Sequence, residues 1–345
     1  MKVLITGAAG YIGSHLAKQL LETTKYDITI LDNLSTGSLK TLNTLKTIRE
    51  FNFIELDLNE FEKVSELLDR CKFDVVLHFA ASIVVPESVA NPLKYYMNNT
   101  VNTTNLIKCA TQSGVKKFVF SSTAAVYGEP KNMPEIGIDE LSQTAPINPY
   151  GMSKLMSERV LQDTAKATDG FKYVIFRYFN VAGADIFFNK DDELAPRIGQ
   201  SFPNATHLIK IASECALGKR DKMSIFGDDF ETPDGTGIRD YIHVDDLVSA
   251  HIKAIDYLDS NESDVFNLGY GKGFSVKEVI ETMKKVTKSD FSVDIVSRRA
   301  GDPANLIANN SKYKKMFSTK NTKLFKYDDI ELICKSAYIW EKGLD

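Results

Sequence analysis

The run Val3-Leu4-Ile5-Thr6 passes directly into Gly7-Ala8-Ala9-Gly10-Tyr11-Ile12-Gly13, and helical spacing begins at once over residues 14–21. A short apolar run, glycines three apart and then an amphipathic segment leave little choice of fold. A strand must turn sharply into a helix whose first N–H groups point at whatever lies before them. Glycine spacing alone is weak in a chain with 20 glycines, but its position between strand and helix makes it specific. Glycine permits close backbone approach to a diphosphate whose charge the helix start stabilises. Gly7, Gly10 and Gly13, with Tyr11 and Ile12 between them, are therefore candidates for holding a dinucleotide cofactor.

The alternation continues. Residues 3–6, 27–31, 53–56, 75–80, 118–121 and 173–178 read as strands apolar on both faces, which helices must cover. Residues 14–21, 60–68, 92–113 and 149–167 carry helical periodicity, with Pro92 and Pro149 where a first turn tolerates proline. After about residue 180 the rhythm breaks at Pro196, Pro203, Gly227, Pro233, Gly235 and Gly237, a stretch of the kind that forms binding loops. A helix resumes over 244–258 and a strand over 265–268, Ser275-Val276-Lys277-Glu278 reads as a capping box, and 292–296 reads as a final strand. The expected architecture is α/β: a doubly wound parallel sheet of the Rossmann kind over residues 1–180, with segments at about 236–262 returning to it, and a smaller discontinuous lobe over 181–345.

Asp32 ends the second strand nineteen positions after Gly13, where a carboxylate accepts hydrogen bonds from an adenosine ribose and repels a 2′-phosphate. NAD rather than NADP is expected; the competing reading is a turn aspartate before Asn33. Asn33 would join Asp32 in holding the cofactor, Asp57, with Leu58 after it, would approach the adenine rim, and Phe79, Ala80 and Ala81 would line the cofactor at the end of the fourth strand. His78, within an apolar strand, reads as a core histidine.

Ser121-Ser122-Thr123 lies at the carboxyl end of the fifth strand, where ligands bind in such sheets. On the next helix Tyr150 and Lys154 stand four apart and share one face. A cation near a phenol favours the phenolate, which makes Tyr150 a candidate base. Thr123 would bridge a substrate alcohol and the phenol, and Lys154 would bond the nicotinamide ribose.

With a formal charge of −4 and a pI of about 5.8, the chain has no overall basic field for nucleic acid. Cys71, Cys109, Cys215 and Cys334 are scattered without metal-ligand spacing and fit a reducing cytoplasm. Neither a signal-peptide pattern nor an apolar stretch near the ~18 residues of a membrane span is expected of this chain. His243-Val244-Asp245-Asp246 lacks a complete ligand set and reads as a helix start, so no metal site is expected.

Across nearly its whole length the chain resembles the extended short-chain dehydrogenase/reductase family, and its nucleotide-sugar 4-epimerase branch in particular. The runs that carry the likeness are GAAGYIGSH, LDNLS, HFAA, PESVANPLKYYMNN, FSSTAAVYGEP, NPYGMSK, FRYFNVAGA, DGTGIRDYIHVDDL, NLGYGKGFSV and RRAGDPA. The resemblance implies interconversion of UDP-glucose and UDP-galactose with bound NAD, in a homodimer paired through residues 92–113 and 149–167. It implies that Asn98, Tyr178 and Phe179 frame nicotinamide and sugar, with Asn180 on the sugar-nucleotide phosphates. Leu208 and Phe226 would hold uracil, Arg239 and Arg299 the diphosphate, and Asp302 the ribose. Two positions depart from the pattern. Ile83 stands where some relatives have a lysine. Leu306 is intermediate at a position that is bulky in enzymes restricted to plain hexoses and small in those admitting N-acetylated sugars, so UDP-N-acetylglucosamine stays open as a substrate. A nucleotide-sugar 4,6-dehydratase would need an Asp-Glu pair after Thr123, where this chain has Ala124-Ala125. A UDP-glucuronate 4-epimerase would need a partner for the extra carboxylate of its substrate. A non-catalytic NAD-binding regulator on the same fold would have no need of the tyrosine and lysine that this chain keeps.

Overall fold

The computed structural model describes residues 1–130, 136–202, 206–299, 302–319 and 323–344. Ala300 and Gly301 of the RRAGDPA run lie outside them. The chain divides into two compact units: Met1–Gly128 with Thr144–Arg177 and Val248–Phe266, and Glu129–Gln143 with Tyr178–Leu247 and Asn267–Asp345.

The first unit begins with β1 (Lys2–Thr6), α1 (Tyr11–Thr23), β2 (Asp27–Asp32), α2 (Leu39–Lys46), β3 (Asn52–Glu55), α3 (Phe61–Cys71) and β4 (Val75–His78). It continues through α4 (Val85–Ala90), α5 (Pro92–Tyr95), a π-helical turn (Tyr96–Val101), α6 (Asn102–Ser113), β5 (Lys117–Thr123), a tight turn (Ala124–Tyr127), α7 (Pro149–Ala167) and β6 (Lys172–Tyr178). Further along the chain come β7 (Asn180–Ala182), α8 (Leu208–Ala216), β8 (Lys222–Phe226), β9 (Ile238–His243), α9 (Val244–Ser260) and β10 (Asp264–Leu268). Last are β11 (Gly273–Ser275), α10 (Val276–Thr287), β12 (Ser292–Val296), β13 (Asn305–Leu306), α11 (Ser311–Phe317) and α12 (Ile330–Lys342).

The main sheet runs β3-β2-β1-β4-β5-β6-β10, and every pairing from β3 to β5 is parallel. This is the Rossmann-like α/β order, in which the direction of winding reverses between β1 and β4 and opens a crevice at the carboxyl ends of those strands. Val3, Leu4 and Ile5 are all fully buried although alternate side chains point to opposite faces, so helices cover both sides of the sheet. On one face Leu4, Val76, Phe118 and Phe120 pack with Val64 and Leu68 of α3, Leu106 of α6 and Leu161 of α7.

Residues 92–113, expected as one helix, form α5, the π-helical turn and α6. The wider turn serves polar pairing rather than core packing. Asn99, at its centre, is buried and donates its amide to Ser82 O at 3.0 Å and to Ser153 Oγ of α7 at 3.1 Å, while its carbonyl accepts from Ser82 N at 2.8 Å. The strand expected over 75–80 ends at His78. The chain leaves the sheet at Phe79, and Ala80 passes the first glycine of the loop closely.

In the second unit β9 is flanked by β11, β13 and β7, and β8 pairs in parallel with β12. The capping box forms: Ser275 Oγ accepts from Glu278 N at 3.1 Å, and Glu278 Oε2 accepts from Ser275 N at 2.7 Å.

Candidate active site

The loop between β1 and α1 owes its shape to absent side chains. Gly7 has φ of +75°, a left-handed conformation that favours glycine, and a methyl there would come within 2.6 Å of Ala80 N. At Gly13 a methyl would meet Gly7 O at 2.4 Å, so the helix could not start this close to the strand. At Gly10 the nearest obstacle would be Gly7 O at 3.3 Å, which leaves room before the helix N-terminus for a diphosphate. Asp32 is 8% exposed; its two oxygens accept Ala9 N at 2.9 Å and Leu34 N at 2.8 Å, and burial raises its pKa. Asn33 donates to Asp57 Oδ2 at 2.5 Å, which brings together two of the residues expected around the adenosine, and Leu58 is buried beside them in sequence. The glycine cradle and the carboxylate at the end of β2 fit NAD.

His78 is a core residue. It is 1% exposed and held between the hydroxyls of Thr6 at 2.6 Å and Thr103 at 2.8 Å. Burial, helped by the charge of Lys154, pushes its pKa down to about 3, which keeps it neutral.

Asn148 caps α7, accepting from Gly151 N at 2.9 Å, with Pro149 in the first turn. A methyl on Gly151 would meet Ala125 O at 2.6 Å, so this helix start lies against the tight turn that follows β5. The arrangement brings Tyr150 to Thr123, whose hydroxyl hydrogen-bonds the phenol. The Tyr95 ring lies edge-on to that of Tyr150, with centroids 6.4 Å apart. Lys154, 3% exposed, donates to Ser121 O at 2.7 Å and sits 4.8 Å above the Phe120 ring. Ser122 Oγ donates to Glu158, a residue that no motif marked although it stands four positions beyond Lys154 on the same helical face. Asn98 donates to Ser82 Oγ at 3.0 Å.

The ionisation differs from the simple expectation of a cation depressing a phenol. Burial raises the Tyr150 pKa, opposed by the Thr123 hydrogen bond. Burial also lowers Lys154 to about 7, opposed by the negative charge of Glu158. Both groups are thus pushed toward their neutral forms by the low-dielectric surroundings.

The other expected residues lie in the second unit. Tyr178 and Phe179 are buried, and Phe179 N donates to Leu268 O at 3.1 Å. Asn180 hydrogen-bonds Tyr241, the residue opposite it in the β7–β9 ladder, and lines a cleft with Leu208, Lys210 and Trp340. Arg239 on β9 donates to Asp302 Oδ1 at 3.2 Å, and Leu306 stands opposite Arg239 in the β9–β13 register. Two distant stretches of chain thus meet in one cluster. Asp240, next to Arg239 in the chain, is fully buried and serves the main chain, accepting Tyr270 N and Gly271 N, each at 2.8 Å, and Ala308 N at 3.2 Å. The Arg299 guanidinium lies 3.6 Å above the Phe226 ring, which joins the residues expected on diphosphate and uracil. Asp246 accepts Lys326 N, Tyr327 N and the Tyr270 hydroxyl, so this acid chiefly serves the main chain. Among the described residues no group of three or more His, Cys, Asp or Glu side chains is placed to hold a metal, and no helix is long and apolar enough to cross a membrane.

A doubly wound sheet with a glycine cradle, an aspartate closing the second strand and a Tyr-Lys pair beside a hydroxyl defines an NAD-binding enzyme of the short-chain dehydrogenase/reductase class. Residues 3–269 match the NAD dependent epimerase/dehydratase family, and the chain belongs to it. It is 44% identical over 345 residues to the UDP-glucose 4-epimerase of Azospirillum brasilense, covering 100% of this chain and 93% of that one. Among solved structures, the UDP-Glc/GlcNAc 4-epimerase from Campylobacter jejuni is 58% identical, with a TM-score of 0.84 over 99% of each chain. The Bifidobacterium longum UDP-glucose 4-epimerase in complex with NAD+ and UDP is 35% identical, with a TM-score of 0.89 over 99% of this chain and 98% of that one.

Proposed function

We infer that the chain is an NAD-dependent UDP-hexose 4-epimerase that interconverts UDP-glucose and UDP-galactose. The observation that carries this reading is the convergence of Thr123, Tyr150 and Lys154 at the carboxyl end of β5, in the same unit as the glycine cradle. NAD, held by the glycine cradle, would supply reversible hydride acceptance from C4. Tyr150 takes the proton of the 4-hydroxyl and later gives it back, so the cycle has no net redox change. Thr123 orients the phenol and the sugar alcohol by the bond it already makes to Tyr150. Lys154 supplies the positive charge that favours the phenolate, the form in which Tyr150 can take that proton. Inversion at C4 requires a site that holds the nucleotide fixed while leaving the sugar room to present either face.

Holding the nucleotide falls to the second unit. Arg239 and Arg299 pair the diphosphate, Asp302 meets the ribose, Phe226 and Leu208 hold uracil, and Asn180 contacts the phosphates. Asn98, Tyr178 and Phe179 frame the nicotinamide and the sugar. Residues 1–180 with 236–262 thus serve NAD, and residues 181–345 serve mainly the nucleotide sugar. The likeness to an enzyme described as acting on UDP-Glc/GlcNAc, together with the moderate bulk of Leu306, supports turnover of UDP-N-acetylglucosamine as well.

The chain works as a homodimer in the cytoplasm. Support for pairing comes from apolar side chains left outward on helices around α7: Val89 is 64% exposed, Leu93 72% and Met97 58%. The test of the reaction is Tyr150→Phe combined with Thr123→Val. Turnover should vanish while NAD still co-purifies with the protein, and a double variant that still interconverts the two UDP-hexoses removes these residues from their roles.

A further inference from the structure

Beneath the reactive hydroxyls lies a buried ion pair that the reaction above does not use. Glu158 is 1% exposed and Arg177, on β6, is 4% exposed. The guanidinium grips the carboxylate through Nη2 to Oε2 at 2.7 Å and Nε to Oε1 at 3.1 Å. It also donates Nη1 to the Tyr127 hydroxyl at 3.0 Å and lies 4.9 Å from the centre of that ring. The carboxylate accepts a further bond from Ser122 Oγ. Ser122 stands between Ser121, whose carbonyl holds the Lys154 ammonium, and Thr123, whose hydroxyl holds the Tyr150 phenol.

A buried ion pair is a poor stabiliser, because apolar side chains of equal volume serve the fold as well or better. What apolar side chains cannot supply here is a fixed anchor for Ser122 and a negative charge one turn from Lys154. The ionisable groups facing Lys154 are His78 from β4, Tyr150 and Glu158 from α7, and Arg177 with Tyr127 through Glu158. His78 is neutral and burial disfavours the phenolate, so Glu158 is the standing anion among them.

We propose that Glu158, clamped by Arg177, is a positioning residue for epimerisation: it braces the end of β5 that presents Ser121 and Thr123, and its charge keeps Lys154 cationic. The proposal rests on the roles given to Tyr150 and Lys154 above. It makes two separable statements, one about charge and one about bracing.

The charge is tested in NAD-loaded E158Q/R177Q, where both members are neutralised so that no buried charge is left unpaired. With UDP-galactose as substrate, the alkaline limb of kcat should move about one pH unit lower while KM and retained NAD stay near wild type. Independently of turnover, the phenolate absorbance of Tyr150, taken as the difference from the same protein carrying Y150F, should appear at higher pH. The bracing is tested by S122A, which keeps the ion pair: kcat should fall about tenfold at unchanged KM, with the alkaline limb in place. A folded E158Q/R177Q with the wild-type limb and phenolate titration overturns the proposal, and so does S122A with wild-type kcat, a readout that stands even if the double variant does not fold. A wild-type protein without epimerase activity instead sinks the reaction itself.

Discussion

Tyr150 and Lys154 lie one helical turn apart, yet the groups that set their ionisation come from other elements. Thr123 hydrogen-bonds the phenol, Ser121 O takes the ammonium, and burial moves both pKa values toward their neutral forms. The spacing of the pair was legible in the sequence, but the dielectric around it was not. Leu306 is the partner of Arg239 in the β ladder, and its proposed role is to limit the size of the sugar substituent. Leu306→Tyr should suppress turnover of UDP-N-acetylglucosamine at least about tenfold, with UDP-glucose turnover largely kept, as measured by steady-state kcat/KM on the two sugars. His78 offers a stability test. Its folded pKa is about 3 against about 6.5 when unfolded, so between those values the unfolded chain binds more protons and stability falls as pH falls. Each pH unit below about 6.5 should cost up to about 1.4 kcal/mol, read from urea midpoints, and His78→Gln should flatten that slope.

At the scale of elements, the β1–α1 connection follows almost directly from the amino-acid order, because glycine positions act through local sterics. A methyl at Gly13 would press on Gly7 O at 2.4 Å. Gly13→Ala should therefore lower stability by about 1–3 kcal/mol and weaken NAD retention together, seen as a lower melting temperature and loss of co-purifying cofactor. The proline-led start of α7 and the Ser275–Glu278 box were legible for the same local reason. The π-helical turn was not, since the periodicity of residues 92–113 is helical on both sides of it, and the bonds of Asn99 to Ser82 and Ser153 that accompany it come from distant parts of the chain. The short strands β7, β11 and β13, of two or three residues each, also carry no signal, because a run that short has no alternation to read.

For the whole molecule, the outward apolar side chains of α4, α5 and the π-helical turn form the surface on which the proposed homodimer would pair. Leu93, 72% exposed, belongs to α5, which packs against α7. Leu93→Glu should leave the folded chain intact and shift it toward monomer, as measured by sedimentation, because a charge buried at an apolar interface is left without a partner.

The amino-acid order alone determined the class of fold and the location of the cofactor loop, since strand periodicity, glycine sterics and helix-start chemistry all act over a few neighbouring residues. It also marked Tyr150 and Lys154 through helical spacing. Only the tertiary structure decided which side chains surround them: that Arg239 meets Asp302 and faces Leu306, that Arg299 lies on Phe226, and that Glu158, Arg177 and Ser122 join beneath the reactive hydroxyls. Each of those contacts links positions well separated along the chain, and a charge or hydrogen bond across such a separation exists only once the chain has closed around it.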